Sequence, residues 1–142
     1  MRMYYVSHPF TGDEERNKKD AREQVERLKK ENPQYIFINP LDAFTYAEDL
    51  PYTEIIKQCL ELVRNCDGLV LTGDWENSRG CLLERQEAEQ YGLEIIDLNT
   101  SPIPIHEPLS PTEEKVVTAF RKMIAEFYKN ERKRGQEHER HE

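Results

Sequence analysis

No stretch of this chain is apolar for long enough to span a bilayer, and its opening MRMYYVSHPF lacks the pattern of a secretory signal. A soluble, cytoplasmic protein is expected. Cysteine is scarce: Cys59, Cys66 and Cys81 are odd in number and lack C-x-x-C spacing, which argues against a disulfide framework and a zinc site. They read as small buried hydrophobes. Positive charge is also short, with 20 Lys and Arg against 28 Asp and Glu. The net charge of −8 argues against a broad grip on duplex nucleic acid or an anionic membrane, but not against one small phosphate held by local donors. There is no internal repeat.

What is present is one domain's worth of chain, 142 residues with 34% of them charged. Residues 1–128 are expected to form that domain. Residues 129–142, KNERKRGQEHERHE, contain no apolar side chain and are expected to fray or be disordered. His138 and His141 in this tail read as solvated groups rather than metal ligands.

Short apolar runs alternate with helical patterns. MYYVS (3–7), YIFINP (35–40), DGLVLTG (67–73) and LEIIDL (93–98) read as strands. Thr11 and Glu14 have capping-box spacing before a helix to about Glu31, with a thin stripe of Ala21, Val25 and Leu28. LDAFTYAEDLPY is a connection with room for one helical turn. Thr53–Cys66 is a stronger helix, with Ile55, Ile56, Cys59, Leu60 and Val63 on one face. After the Pro-rich NTSPIPIHEPLS, the cap, proline and acid Ser110, Pro111 and Glu113 open a last helix. Its apolar positions, among them Val116, Val117, Phe120, Ile124, Phe127 and Tyr128, most simply close the core, with a subunit interface as the alternative.

Strands apolar on both faces and separated by helices predict an α/β fold with a flavodoxin/Rossmann-like parallel sheet. Four to five strands in the order 2-1-3-4 are expected, with helices on both faces and a C-terminal helix. In such a sheet a ligand binds beyond the carboxyl ends of the first and third strands, where SHPFTG and TGDWENSRG open.

That location raises a question about TGDWENSRGCLLERQEAEQYG (72–92). If a helix starts near Arg79, Cys81, Glu84, Ala88 and Tyr91 share one stripe. Three can face a core; the fourth is a carboxylate. A partly desolvated Glu84 suits a nucleophile or an acid–base group, or else pairs structurally with a buried Tyr or amide. Ser78 and Gly80 start the same helix, where unpaired amides and a hydroxyl meet an incoming anion, and where Asn77 or Ser78 also serves as N-cap. His8 is a candidate contact to a base or phosphate, with an incidental loop histidine as the alternative. Phe10 and Trp75 offer a stacking surface for a nucleobase, a lid, or a subunit contact.

SRGCLLE has the spacing S-x-G-x-x-x-E after the CDGLVL strand, and MYYVSHPFTG is a Tyr-led first strand with a glycine-bearing loop. Together, over roughly residues 3–98, they resemble the nucleoside 2-deoxyribosyltransferase superfamily, and specifically an uncharacterised phage and bacterial branch typified by GW-x-x-SRG, here DWENSRG. The resemblance implies cleavage or transfer of the N-glycosidic bond of a (deoxy)nucleoside. It implies Glu84 as the nucleophile that forms a covalent glycosyl-enzyme, and Tyr5 beside the sugar. It is also similar to hydrolases of deoxynucleoside 5′-monophosphates, because Ser78 stands where free-nucleoside transferases carry Asp. A 5′-monophosphate is therefore the preferred substrate, contacted by Ser78, Arg79 and Gly80 and by His8, Pro9 and Phe10. The resemblance further implies no cofactor, no metal and a homo-oligomer, dimer or higher. One departure stands out: Cys59 occupies the position of the Asp that assists the leaving base. Asp74 is the candidate replacement, with loop capping as its alternative. A catalytically degenerate sensor of a nucleotide or NAD derivative is the competing function.

Overall fold

The computed structural model describes residues 1–44, 49–104 and 110–141, with side chains as far as residue 136. Part of each Pro-containing connection, and His138 and His141 as side chains, therefore lie outside the described residues. Four strands, β1 (Met3–Ser7), β2 (Ile36–Ile38), β3 (Gly68–Leu71) and β4 (Glu94–Asp97), form one parallel sheet in the order β2-β1-β3-β4. Helices α1 (Glu14–Glu31), α2 (Pro40–Ala43), α3 (Tyr52–Arg64), α4 (Arg79–Gln90) and α5 (Pro111–His141) complete the expected α/β architecture. Among the described residues no helix is long and apolar enough to cross a membrane.

The two-residue period of a strand divides the core into two layers. Tyr5, Leu69 and Leu71 pack with Cys59 and Val63 of α3 and with Cys81 and Ala88 of α4. Tyr4, Val6 and Val70 pack with Phe37, Ile96 and the α1 residues Val25 and Leu28. Both faces are covered, as an all-parallel sheet requires. Ser7 shares its parity with Tyr5 and so faces the α3–α4 layer. The sheet's edges are short: β2 has three residues and runs into Pro40, and β4 is bounded by Glu94 and Asp97. Arg2 Nη1 and the Tyr4 hydroxyl both reach Glu94 Oε2, at 3.2 and 3.1 Å.

Three local expectations are corrected. The cap of α1 is Asp13, whose Oδ1 accepts from Arg16 N at 3.3 Å, not Thr11. Gly12 takes φ +106° between the two, a turn that delays the helix. Tyr91 does not join the buried stripe of α4: it is the C-cap, 55% exposed, beneath the Arg64 guanidinium. The third concerns the apolar positions of α5, none of which joins the core clusters among the described residues.

Val116, Phe120, Met123 and Phe127 are 63, 41, 58 and 58% exposed. The reason is that Val25 and Leu28 of α1 already fill that side of the sheet. Helix α5 lies against α1 instead, with Val117, Ile124 and Tyr128 half-buried, Arg132 paired to Glu26 and Lys30 over the Tyr128 ring.

Tight packing at the start of β3 gives a test. A Cβ on Gly68 would lie 2.6 Å from Tyr4 Cε1 and 3.1 Å from the Glu94 carbonyl. The Tyr4 ring is fully buried, edge-on to Tyr35 and stacked on Phe37, so it has nowhere to go. Gly68→Ala is expected to cost about 1–3 kcal/mol in urea unfolding through overpacking; wild-type stability in that variant would contradict this account of the core.

Candidate functional site

The carboxyl ends of β1 and β3 lie side by side, with Ser7 in register with Leu71. Beyond them the β1–α1 loop (residues 8–13) and the β3–α4 loop (residues 72–78) diverge. This divergence leaves a cleft of about 410 Å³ lined by His8, Pro9, Thr11, Asp13, Arg16, Asn17, Asp20, Gly73, Asp74, Asn77 and Ser78. Two of its carboxylates are already engaged: Asp13 caps α1, and both Asp74 oxygens accept from Asn77 Nδ2, at 2.9 and 3.0 Å. Asp20 lies 3.9 Å from Arg16.

Ser78 ends a single 3-10 turn (Trp75–Asn77) and caps α4, its Oγ accepting from Cys81 N at 3.3 Å. Capping uses an oxygen lone pair, so the hydroxyl proton stays available to a ligand in the cleft. Arg79 is exposed at the first position of the helix. Gly80 faces α3, where an added Cβ would meet Tyr52 and Ile56 at ordinary contact distance. The glycine therefore does not open the backbone toward the cleft.

Glu84 lies one turn into α4 on the sheet side and is only 6% exposed. Its Oε1 accepts a hydrogen bond of 2.9 Å from the Ser7 hydroxyl. Burial pushes its carboxyl from the ordinary 4.5 to about 7, against the pull of the Tyr5 and Ser7 hydroxyls toward the ionised form. No salt bridge to Glu84 occurs among the described residues. The Tyr5 hydroxyl is buried beside Glu84 and Cys59 with no partner of full hydrogen-bond geometry among the described residues, and its proton is held well above the ordinary phenol range, first by burial and then by the Glu84 charge. Cys59 is a neutral thiol, pushed up to about 11 chiefly by burial. Glu84 is not among the residues that line the cleft. It is joined to it through Ser7, whose chain neighbour His8 forms part of the wall.

The structure thus brings Tyr5, Ser7, Cys59 and Glu84 together in one buried cluster, and His8, Pro9, Asp74 and Ser78 together around the adjoining cleft. Trp75 belongs to neither. Its ring is buried in the core, its Nε1 donates to Asp97 Oδ1 at 3.2 Å, and the Arg85 guanidinium covers it at 5.1 Å. It is not placed to stack on a ligand in this cleft. Phe10 lies outside the cleft lining, with Lys18 Nζ 5.7 Å from its ring centre. Among the described residues no group of three or more His, Cys, Asp or Glu is arranged to hold a metal ion.

Two partners were missed in the sequence. Ser7 is legible there, since it shares Tyr5's face of β1 and ends the strand. Thr72 is not, because its partner comes from the other loop: Thr72 Oγ1 lies 2.8 Å from both the Ser7 carbonyl and His8 Nδ1.

Burial of Glu84 makes stability depend on pH. Unfolded, the carboxyl loses its proton near 4.5; folded, it keeps it to about 7. The native state binds more protons between these values, so its stability falls as pH rises through that window, by about 3 kcal/mol in all. His8 works in the opposite sense, because burial depresses its value below the ordinary 6.5. The difference between wild type and Glu84→Gln isolates Glu84: the variant should gain relative stability from pH 5 to about 7 and level off above that. Parallel pH profiles in urea melts would show that the carboxyl is not desolvated.

No curated protein matches the chain. Residues 1–97 match the family model described as Domain of unknown function (DUF4406). With its sheet, both site loops and α4 inside that match, the chain belongs to the DUF4406 family.

Proposed function

We propose that the protein cleaves or transfers the N-glycosidic bond of a (deoxy)nucleoside or, in preference, its 5′-monophosphate, with Glu84 as the nucleophile. The observation that carries this reading is a carboxyl withdrawn from water, with no salt bridge among the described residues, whose proton burial holds to about pH 7. Ionised Glu84 attacks C1′ as the bond to the base breaks and its electron pair leaves on the base nitrogen. Water or a second base then attacks C1′, and the sugar–Glu84 bond returns its pair to the carboxylate. Tyr5, whose buried hydroxyl draws Glu84 toward its ionised form, orients the carboxylate. Asp74 lines the cleft where it can contact a leaving base. The preference for a phosphate rests on Ser78 and the amides at the start of α4, with Arg16 and Arg79 as nearby cations.

A second reading, a sensor that binds a nucleotide or NAD derivative without turnover, is favoured by two observations. Cys59 is a neutral thiol where the resemblance calls for an acid, and Glu84 lies behind the cleft wall. Free-base release from a panel of deoxynucleosides and their 5′-monophosphates separates the two. Release is expected to rise with pH through about 7 as Glu84 ionises. Glu84→Ala should lower it by at least ~10³-fold. Undiminished release in that variant removes Glu84 from the reaction, and ligand-induced thermal stabilisation without any release selects the sensor.

The same reading extends to assembly: the occupant proposed for the bare face of α5 is the α5 of a second copy. Val116, Phe120, Met123 and Phe127 follow one another at steps of four, three and four residues, the spacing of a coiled-coil seam. Glu113 and Glu114 open the helix, while Lys129 and Lys133 lie toward its other end, so antiparallel pairing sets unlike charges together. Sedimentation should find a dimer that Phe120→Glu with Met123→Glu converts to a folded monomer. A monomeric wild type, or a dimer unmoved by the double change, refutes the interface.

A further inference from the structure

His8 is held at one edge of its ring by a single oxygen whose own proton is committed elsewhere. Thr72 Oγ1 lies 2.8 Å from the Ser7 carbonyl and 2.8 Å from His8 Nδ1. A carbonyl only accepts, so a contact this short requires the Thr72 hydroxyl to donate to it. That leaves the Thr72 oxygen as acceptor toward His8, and Nδ1 must carry the hydrogen. A neutral imidazole with its proton on Nδ1 has a lone pair on Nε2. No hydrogen bond to Nε2 occurs among the described residues, and His8 lines the cleft.

The backbone is shaped around this ring. Gly73 takes φ +62°, and a Cβ there would lie 2.7 Å from His8 Cε1 and 3.0 Å from Nδ1. Any other residue after Thr72 would push the imidazole off its acceptor. Burial lowers the proton affinity of His8, and Asp20 opposes this. The other charged groups around the cleft are Asp13, Arg16 and Asp74, with Glu84 behind Ser7.

We propose that His8 is the proton acceptor of the second half-reaction, with Thr72 as the positioning residue that fixes its tautomer. The inference rests on the glycosyl-transfer reading. As water or an incoming base attacks C1′ of the glycosyl-enzyme, its O–H or N–H proton passes to His8 Nε2. The C1′–O bond to Glu84 breaks, and its electron pair restores the carboxylate. The imidazolium then releases its proton to solvent. The first half-reaction, departure of the base, makes no use of the Nε2 lone pair.

The test separates the two halves. His8→Gln should lower steady-state kcat by about 10²-fold or more and KM with it, so that kcat/KM, which reports the first half-reaction, changes little, while retaining a rapid burst of one base per enzyme. Intact-mass spectrometry should then show a pentosyl adduct on Glu84 that wild type does not accumulate. A structural role alone would slow the burst as well. Thr72→Val should flatten the pH dependence attributable to His8, and Thr72→Ser, which keeps the hydroxyl, should restore it. Nitrogen NMR of labelled histidine, assigned with His8→Gln, should show the hydrogen on Nδ1 in the ligand-free protein.

A hydrogen on Nε2, or a His8→Gln variant with wild-type kcat and no adduct, overturns this inference while leaving Glu84 as nucleophile. Wild-type protein that releases no base, or releases it independently of Glu84, overturns the glycosyl-transfer reading and this role with it.

Discussion

The Ser7–Glu84 hydrogen bond is the constraint on which the rest of the site depends. It ties the last residue of the first strand to the helix that follows the third, across the point where the strand order reverses. A carboxyl in that position is unfavourable unless something satisfies it, and one hydroxyl is a minimal answer. The result is a group kept from full ionisation by its surroundings rather than by a partner charge. Cys59 contributes by being a thiol that burial keeps neutral: a carboxylate at that place, beside a buried Tyr5, would add a second negative charge next to Glu84.

Much of this arrangement could be read from residue order. Strands apolar on both faces predict a covered parallel sheet, and Ala21, Val25 and Leu28 are the buried stripe of α1. Glu84 was visible as the wrong kind of residue on a core-facing stripe, because Cys81 and Ala88 fixed which side of α4 is buried. Ser78 as cap followed from its place before a helical pattern.

What escaped has physical causes. Trp75 reads as a stacking surface from its loop position, but its indole N–H finds Asp97, a residue of the neighbouring strand that proximity in sequence does not reveal. The cap of α1 moved to Asp13 because Gly12 adopts a backbone conformation that permits a later start. The tautomer of His8 depends on a hydroxyl 64 residues away. Helix α5 has the periodicity of a core helix, yet the side of the sheet it would cover is already filled by α1. Amphipathicity predicts that a face will be covered, without naming the cover.

The edges of the sheet carry a last implication. One outer strand is three residues long and stops at a proline, and the other is flanked by carboxylates, so neither presents a template on which a foreign backbone could hydrogen-bond. Contacts with other macromolecules are thereby directed to the helical exterior. Such contacts can form and dissolve without disturbing the strand ends beyond which the cleft opens.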